Sequence, residues 1–153
     1  MPPEAPSPPH FQSDAAAAIT RGVRRMLADR GVRSLIEVPL ANGRRADVLG
    51  LADDGCILIV EVKSCAADFQ ADRKWPEYLE FCDGFYFAVD ADFPQDLLPS
   101  DCGLIVADAF GAEILRETTP VKLAPARRKA LTLRLAMLGM QRLHRMEDPG
   151  REL

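Results

Sequence analysis

Residues 44–64 read RRADVLGLADDGCILIVEVKS. Two apolar, strand-like runs flank a polar turn that ends in glycine, which is the signature of a β-hairpin. Asp53-Asp54-Gly55 suits a three-residue loop, a type I turn whose glycine takes the left-handed conformation. In that loop Ala52 faces Cys56, and counting outward sets Asp47 directly opposite Glu61. Opposed residues share one face of a sheet, with Cβ atoms about 4.5–5.5 Å apart. Lys63, two positions past Glu61, shares that face as well. A two-residue loop would instead put Asp47 diagonal to Glu61 and on the other face.

The odd-length loop thus predicts two carboxylates and a lysine on one surface, at the end of a strand whose aliphatic run, Ile57–Val60, reads as buried. Two carboxylates at that separation repel, and burial worsens the repulsion. A divalent cation with oxygen ligands answers the problem, and Mg²⁺ commonly takes one or two carboxylates together with phosphate and water. Lys63 would then orient or help deprotonate an attacking water, or offset charge building on a phosphate. The alternative is a plain Glu61–Lys63 ion pair at a strand end, a reading that Asp47 at the opposed position weakens.

The rest of the chain supplies a sheet around this hairpin. A first helix is predicted from Asp14 to Arg30, with Ser13 as N-cap and Gly31 just past its end. Ser34–Leu40 reads as a strand whose proline marks an edge or bend. A helix starts near Trp75 and ends before Gly84, and further strands follow at Phe85–Val89, Gly103–Asp108 and Ala112–Glu117. A last helix spans Pro125 to Met146. This order predicts an α/β fold, a mixed central sheet with helices on both faces. At 153 residues the chain is one domain, taken as residues 13–146, with a proline-rich disordered lead-in (1–12) and a flexible tail (147–153). No apolar run approaches the ~18 residues of a membrane span. Four cysteines without a C-x-x-C pair, and only two histidines, speak against structural zinc and for reduced thiols in a cytoplasm. A net charge of −4 excludes a protein coated in basic residues but leaves room for a local basic face.

The acid of AD (Asp47) followed by EVK (Glu61, Lys63) resembles the core signature of the PD-(D/E)XK nuclease superfamily, whose restriction-endonuclease-like core is a mixed sheet flanked by helices. The longer string GRRADVLGL…IVEVKSCAADFQADRKWPEYLEFCDGFYFAV, with the later GLIVADAFGAEILRE and LAPARRKALTLRLA, resembles the MmcB-type DNA repair proteins of bacteria, over nearly the whole chain from Ala16 to Met146. The resemblance implies a role in DNA repair, Mg²⁺ or Mn²⁺ as cofactor, and DNA as partner. A further repair protein or a second copy of the chain are possible partners. It assigns Asp47 and Glu61 to the metal and Lys63 to the signature lysine. Many members of the superfamily carry one more glutamate on the first helix. That helix has none here, and Glu37 on the following strand is the candidate third metal ligand.

Other residues carry two readings each. In DFQADRKWPEY, Arg73 and Lys74 suit phosphate contacts, with Asp72 positioning one of them and Trp75 or Tyr78 meeting a base or sugar. Alternatively, Asp72 caps the following helix while Trp75 and Tyr78 fill the core, which is the stronger reading for the two aromatics. On the last helix, Arg127, Arg134, Arg142 and Arg145 fall within about 80° of one another. Leu133, Met137 and Met140 lie on the other side. That arginine stripe faces either solvent or a phosphate backbone, and Arg127 and Arg134 are its candidate nucleic-acid contacts.

Overall fold

The computed structural model describes residues 13–150. The proposed lead-in, 1–12, and the last three residues of the proposed tail lie outside the described residues. Helix α1 (Asp14–Asp29) starts at Ser13, whose Oγ accepts the Ala16 N–H at 3.1 Å. The apolar positions Ile19, Val23, Met26 and Leu27 form its buried face, the spacing expected of one stripe of a helix. Gly22 on that face lets the helix cross a turn closely: an added Cβ would run into the carbonyl oxygens of Asp108 and Gly111.

Six strands form one sheet in sequence order: β1 (Arg33–Pro39), β2 (Arg45–Leu51), β3 (Ile57–Val62), β4 (Gly84–Val89), β5 (Gly103–Ala107) and β6 (Ala112–Arg116). The pairs β3–β4 and β4–β5 are parallel and the others antiparallel. Between β3 and β4 run a short helix α2 (Ala66–Ala71) and a 3-10 segment, Trp75–Phe81. The single helix predicted from Trp75 is therefore a tighter turn, preceded by one short α-helix that the sequence pattern did not separate from it. Helix α3 (Pro125–Glu147) closes the fold, so the start of the proposed tail continues it.

The mixed sheet has helices on both faces, as the doubly apolar strands predict. Helix α1 covers Val48, Val60, Ala88 and Ile105. Leu131 and Leu135 of α3, with Tyr78 and Phe81, cover Leu49, Ile57, Ile59 and Phe87 on the other side. All six residues of β4 are buried, as a central strand covered on both faces requires. Trp75 stacks on Phe85 and meets Phe87 edge-on, and the Tyr78 hydroxyl donates to the Arg45 carbonyl at 2.9 Å. Tyr78 is a buried core residue, and Trp75 is partly buried and packs against the same core.

One buried carboxylate joins the elements. Asp83, just before β4, accepts the Ile57 N–H at 2.7 Å, the Leu123 N–H at 2.9 Å and two bonds from the Arg128 guanidinium at 2.6 and 2.7 Å. Arg128 also donates to the Gly55 carbonyl at 2.7 Å. The Arg128 guanidinium, helped by the two N–H groups and against the effect of burial, holds the Asp83 carboxyl down at about 2. Asp83→Asn leaves the arginine without its charge partner and turns an NH₂ group toward backbone donors. We expect it to lower the midpoint of chemical denaturation clearly below the parent's, because an arginine and two N–H groups lose their shared charged acceptor. Because the folded-state pKa is depressed, the contribution is present above the ordinary carboxyl range. It is lost as pH falls toward 2, so the difference between parent and variant narrows in acid.

Candidate metal and nucleic-acid site

The hairpin has the odd-length loop. Ladder pairs run Leu51↔Ile57, Gly50↔Leu58, Leu49↔Ile59 and Val48↔Val60, and the Ala52 N–H reaches the Cys56 carbonyl at 3.0 Å. Gly55 takes φ +88°, the left-handed conformation that the loop needs. One step past Val48↔Val60 the same register sets Asp47 against Glu61.

At that step the regular ladder stops. Glu37 of β1 adopts φ +49°, and the β1–β2 pairing skips from Ile36↔Val48 to Val38↔Ala46. The Asp47 N–H donates to Glu61 Oε1 at 3.0 Å, and the Val62 N–H donates to Asp47 Oδ2 at 2.8 Å. Each carboxylate thus takes a backbone donor of the opposite strand, where a strand carbonyl would normally sit. Strand β3 meanwhile stays in register with β4, with Val62 paired to Ala88 and the Lys63 N–H on the Ala88 carbonyl at 2.9 Å. The sheet opens between β2 and β3, and the two acids bridge the opening.

Glu61 is only 4% exposed and Lys63 8%; Asp47 is half-buried. Burial, followed by the charge of Asp47, pushes the Glu61 carboxyl well above its usual range. Burial also raises Asp47, against the Val62 N–H and a hydrogen bond from Glu61 that lower it. Burial thus disfavours the ionised forms of both acids. Two acids brought this close across the opened ladder form a place where a cation is favoured. Asp47 Oδ1 and Glu61 Oε2, the oxygens without a backbone donor, are the atoms available to it. This donor set fits a hard divalent cation that completes its shell with water and phosphate.

Among the described residues no three acidic, histidine or cysteine side chains gather as a metal site. Glu37 lies in step with Asp47 between the pairs Ile36↔Val48 and Val38↔Ala46; its charge is felt at Asp47, and its carbonyl is held by Arg142 at 2.9 Å. Asp72 also has a different neighbour from the one expected. Its Oδ2 accepts the Lys63 ammonium at 2.6 Å, while Oδ1 accepts the Lys74 N–H at 2.9 Å. Burial raises the Asp72 carboxyl, but the hydrogen bond from Lys63 and those from the backbone of Lys74 and Trp75 hold it lowered. Asp72 therefore holds the signature lysine rather than Arg73 or the Lys74 side chain. The spacing of nine residues between Lys63 and Asp72 gives no periodic signal for this contact, which depends on α2.

Arg73 and Lys74 are exposed beside this site and form no salt bridge among the described residues. The arginine stripe of α3 points elsewhere. Arg127 lies over the Phe81 ring and reaches Glu80, Arg134 donates to the Pro39 carbonyl at 3.2 Å, and Arg142 donates to Ile36 at 2.6 Å. These contacts tie the helix to the 3-10 segment and to β1, while Arg127 and Arg134 themselves remain exposed.

Because folding raises both carboxyl groups of the pair, their ionisation opposes folding. The favourable contribution is complete below the ordinary carboxyl range and is lost as pH rises through the raised values. Glu61→Gln keeps an acceptor for the Asp47 N–H and removes one charge. In chelator at neutral pH it should melt a few degrees above the parent, ~1 kcal/mol being about 2–4 °C at this size. The gap should close as the pH of the melts is lowered to the point where the parent pair is protonated.

The sequence profile of the MmcB-like DNA repair proteins matches residues 4–150. A solved protein of unknown function from Silicibacter pomeroyi is 46% identical, with a TM-score of 0.87 over 94% of this chain and 99% of that one. A repair endonuclease from Pyrococcus abyssi aligns at 18% identity over 57% of this chain and 40% of its own, with a TM-score of 0.33, a likeness too slight to build on. No curated protein matches. With the profile spanning almost every residue, including the hairpin, its paired acids and the lysine, the chain belongs to the MmcB-like family of DNA repair proteins.

Proposed function

We propose that the chain is a nuclease that hydrolyses phosphodiester bonds of DNA with the aid of Mg²⁺ or Mn²⁺. The observation that carries this reading is the meeting of Asp47 and Glu61 across the opened β2–β3 ladder, beside a buried lysine. Asp47 and Glu61 would hold the cation. When bound, such an ion polarises a phosphoryl oxygen and lowers the pKa of water. The chain's own residues do the rest. The strand backbone fixes both carboxylates through the Asp47 and Val62 N–H groups. Asp72 holds the Lys63 ammonium in place, as a donor for an incoming water or for charge developing on the phosphate. Arg73 and Lys74, exposed at the edge of the site, would take neighbouring phosphates.

A second reading is a DNA-binding or scaffold module in which cleavage is weak or absent. The lack of a third acid among the described residues and the engagement of Lys63 with Asp72 favour it. The two readings separate in one experiment. Purified protein is incubated with single-stranded, duplex and branched DNA, with Mg²⁺ or Mn²⁺, beside Asp47→Asn and Lys63→Ala. The nuclease reading expects cleavage by the parent, none by Asp47→Asn, and a loss of ~10²–10⁴-fold in Lys63→Ala, the usual worth of a positioned acid–base group. Retained DNA binding with no cut product on any DNA form sinks the nuclease reading in favour of the module.

A further inference from the structure

Helix α3 carries its large apolar side chains on the wrong side for a core. Leu131 and Leu135 pack inward, but Leu133 is 58% exposed, Met137 69%, Met140 67% and Leu143 54%. At 100° per residue these four lie on one outward half of the helix, with Lys129 and Glu147 on the same stripe. Single exposed apolar residues are ordinary, whereas a contiguous run of this kind marks a contact surface. The adjacent hollow, lined by Pro39, Arg134, Met137 and Met140 among others, measures about 530 Å³.

The stripe has a symmetry that selects its occupant. Lys129 and Glu147 lie nine residues to either side of Leu138, Leu133 and Leu143 five to either side, and Ala136 and Met140 two. A second α3 laid antiparallel about Leu138 therefore sets Leu133 on the partner's Leu143, and Lys129 on the partner's Glu147 at both ends. Both charged residues are exposed and neither has an ion pair among the described residues. A two-fold interface demands this self-complementarity, in which each residue meets the counterpart of its own partner.

Nucleic acid fits the face poorly. Its centre is leucine and methionine, and Arg127, Arg128, Arg134 and Arg142 of the same helix are engaged with protein. We infer that the outward face of α3 is a homodimer interface, formed by antiparallel pairing with a second copy of this chain about Leu138.

The stripe is about 27 Å long and about 10 Å wide, less than the ~800 Å² that a standard interface buries on each partner. The dimer is therefore weak and concentration-dependent. The inference is independent of the nuclease reading. It is tested by sedimentation velocity of the full chain from low micromolar to near-millimolar concentration, with far-UV circular dichroism as the control for folding. The parent should pass from monomer to dimer over that range. Met137→Asp should weaken the dimer at least about tenfold, which is about 1.4 kcal/mol. Lys129→Glu and Glu147→Lys should each weaken it, because both end pairs become like-charged, and an equimolar mixture of the two should dimerise again. A parent that stays monomeric throughout overturns the inference. So does a dimer indifferent to these substitutions, or a mixture that fails to recover.

Discussion

The hairpin's geometry depends on the buried Asp83 carboxylate, at the far end from the acids that hairpin presents. Its four accepted hydrogen bonds tie the first residue of β3, the segment leading into α3, and α3 itself, and Arg128 extends the tie to the turn carbonyl of Gly55. Register in a hairpin is set at its turn, and a slip by one residue would move every side chain to the opposite face. Pinning the turn end thus determines which side chains meet at the open end, where Asp47 and Glu61 face each other. A neutral side chain at position 83 would leave a half-buried arginine and two N–H donors without the charged acceptor they converge on, so the tie works only as a complete set.

At the other end the same strands give up regularity. Between Val48↔Val60 and the strand termini, backbone donors are answered by side-chain oxygens instead of strand carbonyls. Local stability is exchanged for two carboxylates held with little freedom, in an environment that favours their protonated forms. A packed domain has no structural use for two acids whose charges oppose its own folding; replacing such groups with apolar ones is often neutral or stabilising. Their presence makes sense if a positive ion completes the arrangement. Lys63 and Asp72 extend the logic. The ammonium is drawn toward the acid on the α2 side, which lets three buried or half-buried charges coexist on one strand end.

Much of this was readable from residue order alone. Asp53-Asp54-Gly55 has the chemistry of a single loop type, the loop length fixes parity, and parity puts Asp47 opposite Glu61. The strand sequence and the mixed sheet followed from apolar runs bounded by turns. What could not be read depends on contacts distant in the chain. Glu37 sits in an ordinary strand pattern, and nothing local announces its left-handed backbone. Asp72 looked like a cap for the segment after it, which it is through Oδ1, but its second oxygen serves a lysine brought near by α2. Asp83 gives no signal of its own, because Asp-Gly before a strand is ordinary turn chemistry. The one available hint was its place directly ahead of six residues apolar enough to be buried throughout.

Helix α3 shows why a wheel gives two faces but not their orientation. Leucines and methionines on one side and arginines on another suggest an apolar side turned inward. The structure instead inserts the arginine side against a sheet edge. Strand β1 is an outermost strand, and its outward carbonyls need donors; Arg142 supplies them to Ile36 and Glu37, Arg134 to Pro39, and Arg24 of α1 to Ser34. A guanidinium carries several donors in a fixed fork on a long apolar stem, so it can cap carbonyls and still pack. Capping also denies the edge to a passing strand, the usual hazard of an open sheet. The rotation of α3 that brings its arginines to β1 turns Leu133, Met137 and Met140 outward, so edge protection and apolar exposure have one cause. A helix that covers an edge in this way acquires an apolar outer surface, and that surface is available for assembly.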